Sequence, residues 1–177
     1  IAGQLSSVII KQLADIRARN RANPIMYPFA EPRILGGAQE ISDVAAYISQ
    51  LPMLPNNGTG PGRDLVLGEK LYTDNCVDCH GKHGEGFAKE HIPAIWGQHY
   101  HYLVRQFQMI KIGRRKNSDP EMQKQIKNFS GRDIRAVMDY VSRIKPSKDK
   151  LAESPNWQNP DFPNYVRPPL PAEPPRL

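Results

Sequence analysis

The pentapeptide CVDCH at residues 76–80 restricts what this chain can fold into more than any other feature of the sequence. It contains the two cysteines of the chain, Cys76 and Cys79, and the second is followed directly by His80. Two thiols and an imidazole this close together indicate one site for redox chemistry, a metal ion or a covalently attached group. The rest of the chain has to fold around that site.

Three interpretations of the motif are open. A disulfide or thioredoxin-like redox pair usually lies near alternating strands and helices, and the sequence shows no such alternation. A zinc site would use both cysteines and His83, with His91 as the fourth ligand, but structural zinc sites usually draw two ligand pairs from separated segments. In the third interpretation, the thiols form thioethers with the vinyl groups of haem and His80 ligates the iron.

The segments around the motif predict helices joined by a glycine-rich loop. Residues 62–75 carry leucines at helical spacing before the motif, and residues 81–86 contain three glycines. A second helix is predicted through residues 102–110. Residues 130–144 predict an amphipathic helix that begins with a capping box of Ser130 and Asp133. The expected fold class is all-α.

Residues 62–146 resemble a bacterial class I cytochrome c, through the stretches GEKLYTDNCVDCHGKHGEG, IPAIWGQ, YLVRQF, GRR, DPEM and DIRAVMDYVS. The resemblance implies the all-α class I cytochrome c fold, one covalently bound haem c and electron transfer as the function. It also implies that Cys76 and Cys79 form the thioethers and that His80 is the proximal iron ligand.

The same resemblance implies two further residues of the iron site. Pro93 matches the proline whose carbonyl accepts a hydrogen bond from the ligand histidine, a bond that raises the basicity of the imidazole. Met122 matches the distal ligand, and a thioether there predicts a higher reduction potential than a second histidine would. Met109 and Met138 are expected in the core. Ligation by a second histidine stays open, although a surface or loop position is expected for the remaining candidates, His83, His91, His99 and His101.

Haem contacts outside the iron site are also implied. Arg115, or its neighbour Arg114, matches the family position that pairs with a haem propionate, because a guanidinium fork fits a carboxylate. A solvated basic turn is the alternative. Tyr102 and Trp96, together with Tyr100, are expected to pack on the macrocycle or in the core beside it.

The first fifty residues repeat part of this domain at a nearly constant spacing of 94 residues. They are predicted to be the C-terminal half of a second cytochrome c domain, as in the two-domain, two-haem bacterial cytochromes c. The pairs are Gly3 and Gly97, Gln4 and Gln98, Gln12 and Gln106, Arg21 and Arg115, Tyr47 and Tyr140, and the segments 24–26 and 120–122.

The repeat predicts four parts: a partial cytochrome c domain at 1–52, a Pro/Gly/Asn-rich linker at 53–61, a complete domain at 62–146 and a Pro-rich tail at 147–177. The first copy has no C-x-x-C-H. Its haem segment either lies outside this sequence, in which case Met26 is the distal ligand of a second haem, or has been lost, in which case Met26 is an ordinary loop or core residue. The first explanation is favoured, because half a domain would leave an apolar stripe uncovered: Val8, Ile9, Leu13, Ile16, Val44 and Ile48.

The chain is basic, with a formal net charge of +6 in 177 residues. No nucleic-acid motif accompanies this charge, so the expected partner is an acidic redox protein, met through lysines and arginines around the haem segments. The expected location is periplasmic, since the resemblance implies export.

The leading function is a free electron carrier. The alternatives are a haem subunit of a larger redox enzyme complex, at a membrane or in the periplasm, and a haem peroxidase or sensor. The tail, with Trp157, Phe162, Tyr165 and Val166, is either a loosely ordered end or an arm that docks on protein.

Overall fold

A computed structural model describes residues 1–161 of the protein. Within that range the structure is helical, and its extended pairings are isolated bridges, so the predicted all-α class is confirmed. No helix among these residues is long and apolar enough to cross a bilayer. The helices are α1 (Ser6–Arg17), α2 (Tyr27–Ala30), α3 (Pro32–Leu35), α4 (Ala38–Gln50), α5 (Leu65–Asn75), α6 (Val77–His80), α7 (Tyr100–Lys111), α8 (Pro120–Ile126) and α9 (Gly131–Arg143), followed by a 3₁₀ turn at Lys148–Lys150.

Helix α9 is the centre of the C-terminal domain. It packs along α5 on one side and against α7 on the other. Its N-terminus has the predicted capping box: the Asp133 N–H donates to Ser130 Oγ at 3.2 Å, and the Ser130 N–H donates to Asp133 Oδ2 at 2.8 Å. The apolar face of α9 is buried at Ile134, Val137, Met138 and Val141.

Helices α5 and α9 approach closely because α5 carries Gly68 at the crossing. A methyl group on this buried glycine would overlap the carbonyl oxygen of Ala136. The core beside this crossing contains Tyr72, Phe107 and Phe129. It also contains Cys76, so the second half of the molecule folds around the attachment motif.

The predicted repeat pairs helices of equal length in the two halves of the chain. Helices α1 and α7 each have 12 residues, and α4 and α9 each have 13. Even the turn after the first helix is shared, since Arg19 has φ 63° where the second copy has Gly113 at φ 70°. An arginine in the left-handed backbone conformation costs more free energy than a glycine in the same conformation. The turn therefore reflects the repeat rather than the local preference of the residue.

The face of α4 lacks the partner that α9 has. Within residues 1–161, α4 packs mainly on α1, and no helix lies along it as α5 lies along α9. The predicted stripe is nevertheless partly covered: Val8, Ile9 and Ile16 are buried, whereas Leu13, Val44 and Ile48 are half-buried. Ile25, Phe29 and Ile34 are among the large apolar side chains that this half exposes.

Residues 53–62 form a strap on the C-terminal domain. The buried carboxylate of Asp139 accepts a hydrogen bond from the Gly62 N–H at 2.7 Å, and the Asn57 side-chain amide donates to the Ser142 carbonyl at 2.7 Å. Arg143 donates to the Gly60 carbonyl at 2.7 Å and also to Asp139 at 2.9 Å. The predicted linker is therefore bonded to α9 at several points.

The start of the tail returns to the N-terminal half. The Met53 N–H donates to the Lys150 carbonyl, and the Ala152 N–H donates to the Met53 carbonyl, both at 2.8 Å. Further along, the Tyr47 hydroxyl of α4 donates to Asp161 at 2.9 Å. Trp157 is half-buried. The predicted anchors Phe162, Tyr165 and Val166 lie outside the described residues.

Candidate functional site

The attachment motif occupies a tight turn between two helices. Cys76 ends α5, and α6 then runs from Val77 to His80. Cys76 is buried in the core, Cys79 is exposed, and both thiols are free. The buried Tyr72 hydroxyl donates to the Gly81 carbonyl at 2.6 Å and holds the end of the turn against α5. The turn thus presents one thiol to the core and the other to its surface.

His80 is buried, and its orientation is set by one hydrogen bond. Its Nδ1 lies 3.0 Å from the Pro93 carbonyl oxygen. A carbonyl can only accept, so Nδ1 carries the proton and Nε2 is left with its lone pair. Burial lowers the pKa of His80, and the Pro93 bond opposes this in part. A neutral imidazole with a free Nε2 is the form that binds a metal.

The loop that carries Pro93 is held close to the motif by Gly86. The Gly86 N–H donates to the His80 carbonyl at 2.8 Å. A Cβ on Gly86 would lie 2.6 Å from both the Ala94 nitrogen and the Pro93 carbonyl carbon. With φ at 69°, this position also favours glycine through its backbone. Because residue 86 is a glycine, the Pro93 carbonyl can come within hydrogen-bond distance of the His80 imidazole.

Trp96 contributes a buried polar group that has no hydrogen-bond partner among the described residues. Its Nε1 is inaccessible to solvent and has no hydrogen-bond acceptor among the described residues. Buried indole N–H groups normally find an acceptor. A haem propionate would supply a carboxylate for this donor. Together with the free thiols and the free Nε2 of His80, this donor shows that the residues present fit a covalently bound haem.

Met122 lies in the first turn of α8, between α7 and α9. Its N–H and that of Glu121 donate to the Asp119 carboxylate, at 3.3 and 2.7 Å, so the turn is capped. Its side chain is half-buried and packs against the core cluster that includes Cys76. Met138 is buried in α9, as expected for a core residue, and Met109 is half-buried in α7.

Arg115 lies where the two repeats meet. It donates to Gln106 of its own repeat at 3.1 Å and to Gln12 of the other at 3.3 Å. Arg21, its counterpart in the first repeat, donates to Gln12 at 2.5 Å and to the Tyr102 hydroxyl at 3.1 Å. Burial and then the charge of Arg21 lower the pKa of Arg115. The predicted propionate contact of Arg115 and the haem packing of Tyr102 stay predictions.

The structure gives the zinc interpretation no support. No group of three or more His, Cys, Asp or Glu side chains in residues 1–161 is arranged to hold a metal ion. His83 and His91 are exposed, as are His99 and His101. Burial raises the pKa of Cys76 to about 12.

Gln4 is a residue of this site that the sequence did not reveal as such. Its side-chain amide bonds both the N–H and the carbonyl of Ala94, the residue after Pro93. The repeat singled out Gln4 and Gln98 as equivalent, but the contact crosses ninety positions of the chain. Local spacing carries no signal for such a contact.

Comparison with known proteins identifies the class. Residues 65–145 match the family described as Cytochrome c. Cytochrome c4 of Azotobacter vinelandii is 26% identical over 160 residues, which cover 81% of this chain and 75% of that protein. The thiosulfate dehydrogenase electron acceptor of Stutzerimonas stutzeri strain A1501 is 30% identical over 144 residues, 76% of this chain and 65% of that protein. The crystal structure of reduced recombinant cytochrome c4 from Pseudomonas stutzeri superposes with a TM-score of 0.70 at 27% identity, covering 81% of this chain and 83% of that one.

The chain therefore contains a class I cytochrome c domain, and the predicted haem c and electron-transfer function are confirmed. Its similarity to the cytochromes c4 covers more of the chain than residues 65–177 could supply, so the homology extends into the N-terminal repeat. The relatives are cytochrome c electron carriers, and subunits of oxidoreductase complexes occur among them.

Proposed function

We propose that the protein carries electrons through a haem c whose axial ligands are His80 and Met122. The observation that carries this proposal is the bond from His80 Nδ1 to Pro93, which leaves Nε2 as a neutral donor beside two free thiols. Met122 supports it by packing on the same core cluster that contains Cys76. When bound, the haem supplies one-electron chemistry at its iron.

The residues of the chain have separate tasks in this function. Cys76 and Cys79 would hold the group covalently, one from the core and one from the surface of the turn. Pro93 keeps the His80 imidazole in one orientation and one tautomer. Trp96 offers its unpaired N–H to a carboxylate of the group. The apolar side chains of α7 and α9 exclude water from this side of the domain.

Replacement of Met122 tests the ligand set. In Met122→Ala, we expect the ferric absorption band of sulfur–iron ligation to disappear and the reduction potential to fall, because the thioether favours ferrous iron. The matched control is Met109→Ala, which removes another half-buried methionine but should keep the band. Retention of the band in Met122→Ala would show that another residue ligates the iron. A wild-type protein without the band would favour ligation by a second histidine, or the alternative of a peroxidase or sensor with an open iron position.

An acidic redox protein is the proposed partner. Seven of the nine basic residues predicted around the haem segments are exposed: Lys82, Lys89, Arg105, Arg114, Lys116, Lys124 and Lys127. Lys111 and Arg115 are half-buried and donate instead to groups of the protein. One relative is named as the electron acceptor of thiosulfate dehydrogenase, which supports electron exchange with an oxidoreductase. The alternative of a haem subunit in a redox enzyme complex therefore stays open.

The partner proposal predicts that electron exchange slows as ionic strength rises. In the double variant Lys82→Glu/Lys89→Glu, the association rate should fall at low salt and approach the wild-type rate at high salt. The control Lys148→Glu/Lys150→Glu places the same charge change in the 3₁₀ turn after α9. Stopped-flow kinetics with a purified donor would measure this, and salt-independent rates would contradict it. Stable co-purification with an oxidoreductase would favour the subunit alternative.

Periplasmic location is proposed because thioether attachment follows export.

We also propose residues 1–52 as part of a second cytochrome c domain, with Met26 as an iron ligand when that domain carries haem. The support is the pairing of α1 and α4 with α7 and α9. Met26 is half-buried at the start of α2, as Met122 is in the first turn of α8. Intact mass of the purified natural protein tests this. One haem per chain would make Met26 an ordinary residue, and two would make the protein a two-centre relay.

A further inference from the structure

The side-chain amide of Gln4 makes three hydrogen bonds at the boundary between the two repeats. Its Nε2 donates to the Ala94 carbonyl at 2.8 Å, and its Oε1 accepts from the Ala94 N–H at 2.9 Å. The same oxygen accepts from the Leu5 N–H at 3.0 Å, just before α1. A buried backbone segment of the C-terminal domain is thus held by one side chain of the N-terminal repeat.

The Ala94 N–H and the Pro93 carbonyl belong to the same peptide unit, which is planar. At one edge of this unit the N–H donates to Gln4, and at the opposite edge the carbonyl accepts from His80 at 3.0 Å. Gly86 is packed against the same peptide, where a side chain would not fit. The chain of contacts from Gln4 to His80 therefore passes through a single rigid group.

We propose that Gln4 is a positioning residue for the axial histidine, an inference that rests on the proposed ligation by His80. It acts by orienting and polarising the Pro93–Ala94 peptide. An acceptor on the N–H increases the negative charge on the carbonyl oxygen, because hydrogen bonds in series strengthen one another. The stronger acceptor draws the His80 Nδ1 proton and raises the basicity of the imidazole. A more basic imidazole stabilises ferric iron and lowers the reduction potential. The N-terminal repeat thereby tunes the haem of the other domain.

The test compares two variants of Gln4 in the haem-loaded full chain. Gln4→Met keeps the length of the side chain and removes both polar atoms, and Gln4→Asn keeps the amide but is too short to reach Ala94. For both we expect a higher reduction potential by spectroelectrochemistry. We also expect faster solvent exchange of the His80 Nδ1 proton in the reduced protein by NMR, by roughly fivefold to tenfold, the factor for loss of one ordinary hydrogen bond.

Two controls separate this effect from general loosening. Ser7→Ala removes another bond between the repeats, from Ser7 Oγ to the Ala88 carbonyl at 2.7 Å, without touching the Pro93–Ala94 peptide. Gln98→Met alters the equivalent side chain of the second repeat, which accepts only from the His99 N–H among the described contacts. Both should leave the potential and the proton exchange at wild-type values.

Equal shifts in the Gln4 variants and the controls would overturn the inference, as would Gln4 variants that change only the melting temperature. Failure of the ligand proposal would look different. It would remove the sulfur–iron band from the wild type, whereas the His80 proton would still report whether Gln4 acts on the peptide.

Discussion

The imidazole of His80 depends on a carbonyl thirteen residues further along the chain. Pro93 contributes no side-chain chemistry to this contact, and its role is to bring a backbone oxygen to Nδ1. The motif predicted the histidine, the resemblance predicted the carbonyl, and the structure shows both in contact. Trp96 adds a buried indole N–H that has no acceptor among the described residues.

A further residue-scale prediction concerns Asp15, which faces the boundary between the repeats. Burial alone would raise its pKa, but hydrogen bonds from Lys11 and Asn117 outweigh this and lower it. A lowered carboxylate pKa adds stability above the unfolded pKa, and that stability is lost as pH falls through the folded value. Asp15→Asn should therefore reduce the free energy of unfolding at neutral pH by up to about 1 kcal/mol, and by nothing in acid. Urea unfolding at both pH values measures this. Asp43→Asn, at an exposed aspartate, is the control, and an equal loss in acid would contradict the prediction.

At the scale of the element, the helices follow from capping and periodicity. The capping box of α9 and the apolar spacing of α5, α7 and α9 were all readable from the sequence. The close approach of α5 to α9 was not, because it depends on where two helices cross. Gly68 lies at that crossing, against the backbone of Ala136.

Substitution at two helical glycines should separate packing from helix propensity. Gly68→Ala should destabilise the domain by about 1–3 kcal/mol, the usual cost of overpacking, because the methyl group meets backbone that cannot rotate away. Gly131→Ala, in the first turn of α9, meets only the flexible end of Arg135 and should be neutral or stabilising by about 0.5–1 kcal/mol. Thermal unfolding of both variants measures the difference. A stable Gly68→Ala protein would mean that α5 and α9 can move apart.

At the scale of the whole molecule, three structures join the two repeats in addition to the bonds made by Gln4 and Ser7. The strap of residues 53–62 lies on α9, the boundary around Gln12 holds Arg21 and Arg115 together, and the start of the tail returns to α4. The Pro/Gly/Asn content of the strap predicted a linker. Its hydrogen bonds to Asp139 and Ser142 make it a fixed connection.

Loss of the Asp139 carboxylate should release the strap. In Asp139→Asn, the charge-assisted bonds to Gly62 and Arg143 are weakened, at a cost of about 2–3 kcal/mol. We expect limited proteolysis within residues 53–62 to become faster. Asp64→Asn removes an exposed ion pair with Arg132 outside the strap and should leave the cleavage rate unchanged. Equal cleavage of both variants would show that Asp139 does not hold the strap.

The sequence by itself determined the attachment motif, the helical class, the internal repeat and the haem-binding family. The first three reside in local spacing and composition: thiols separated by two residues, apolar residues at helical period, and similar segments at a nearly constant separation. The family followed from the resemblance of whole segments to known sequences. Only the tertiary structure decided that Gln4 bonds the peptide after Pro93, that Arg115 faces the other repeat, and that the linker is bound. Each of these is a contact between residues far apart in the chain. Such contacts depend on how helices pack, which no local pattern of residues encodes.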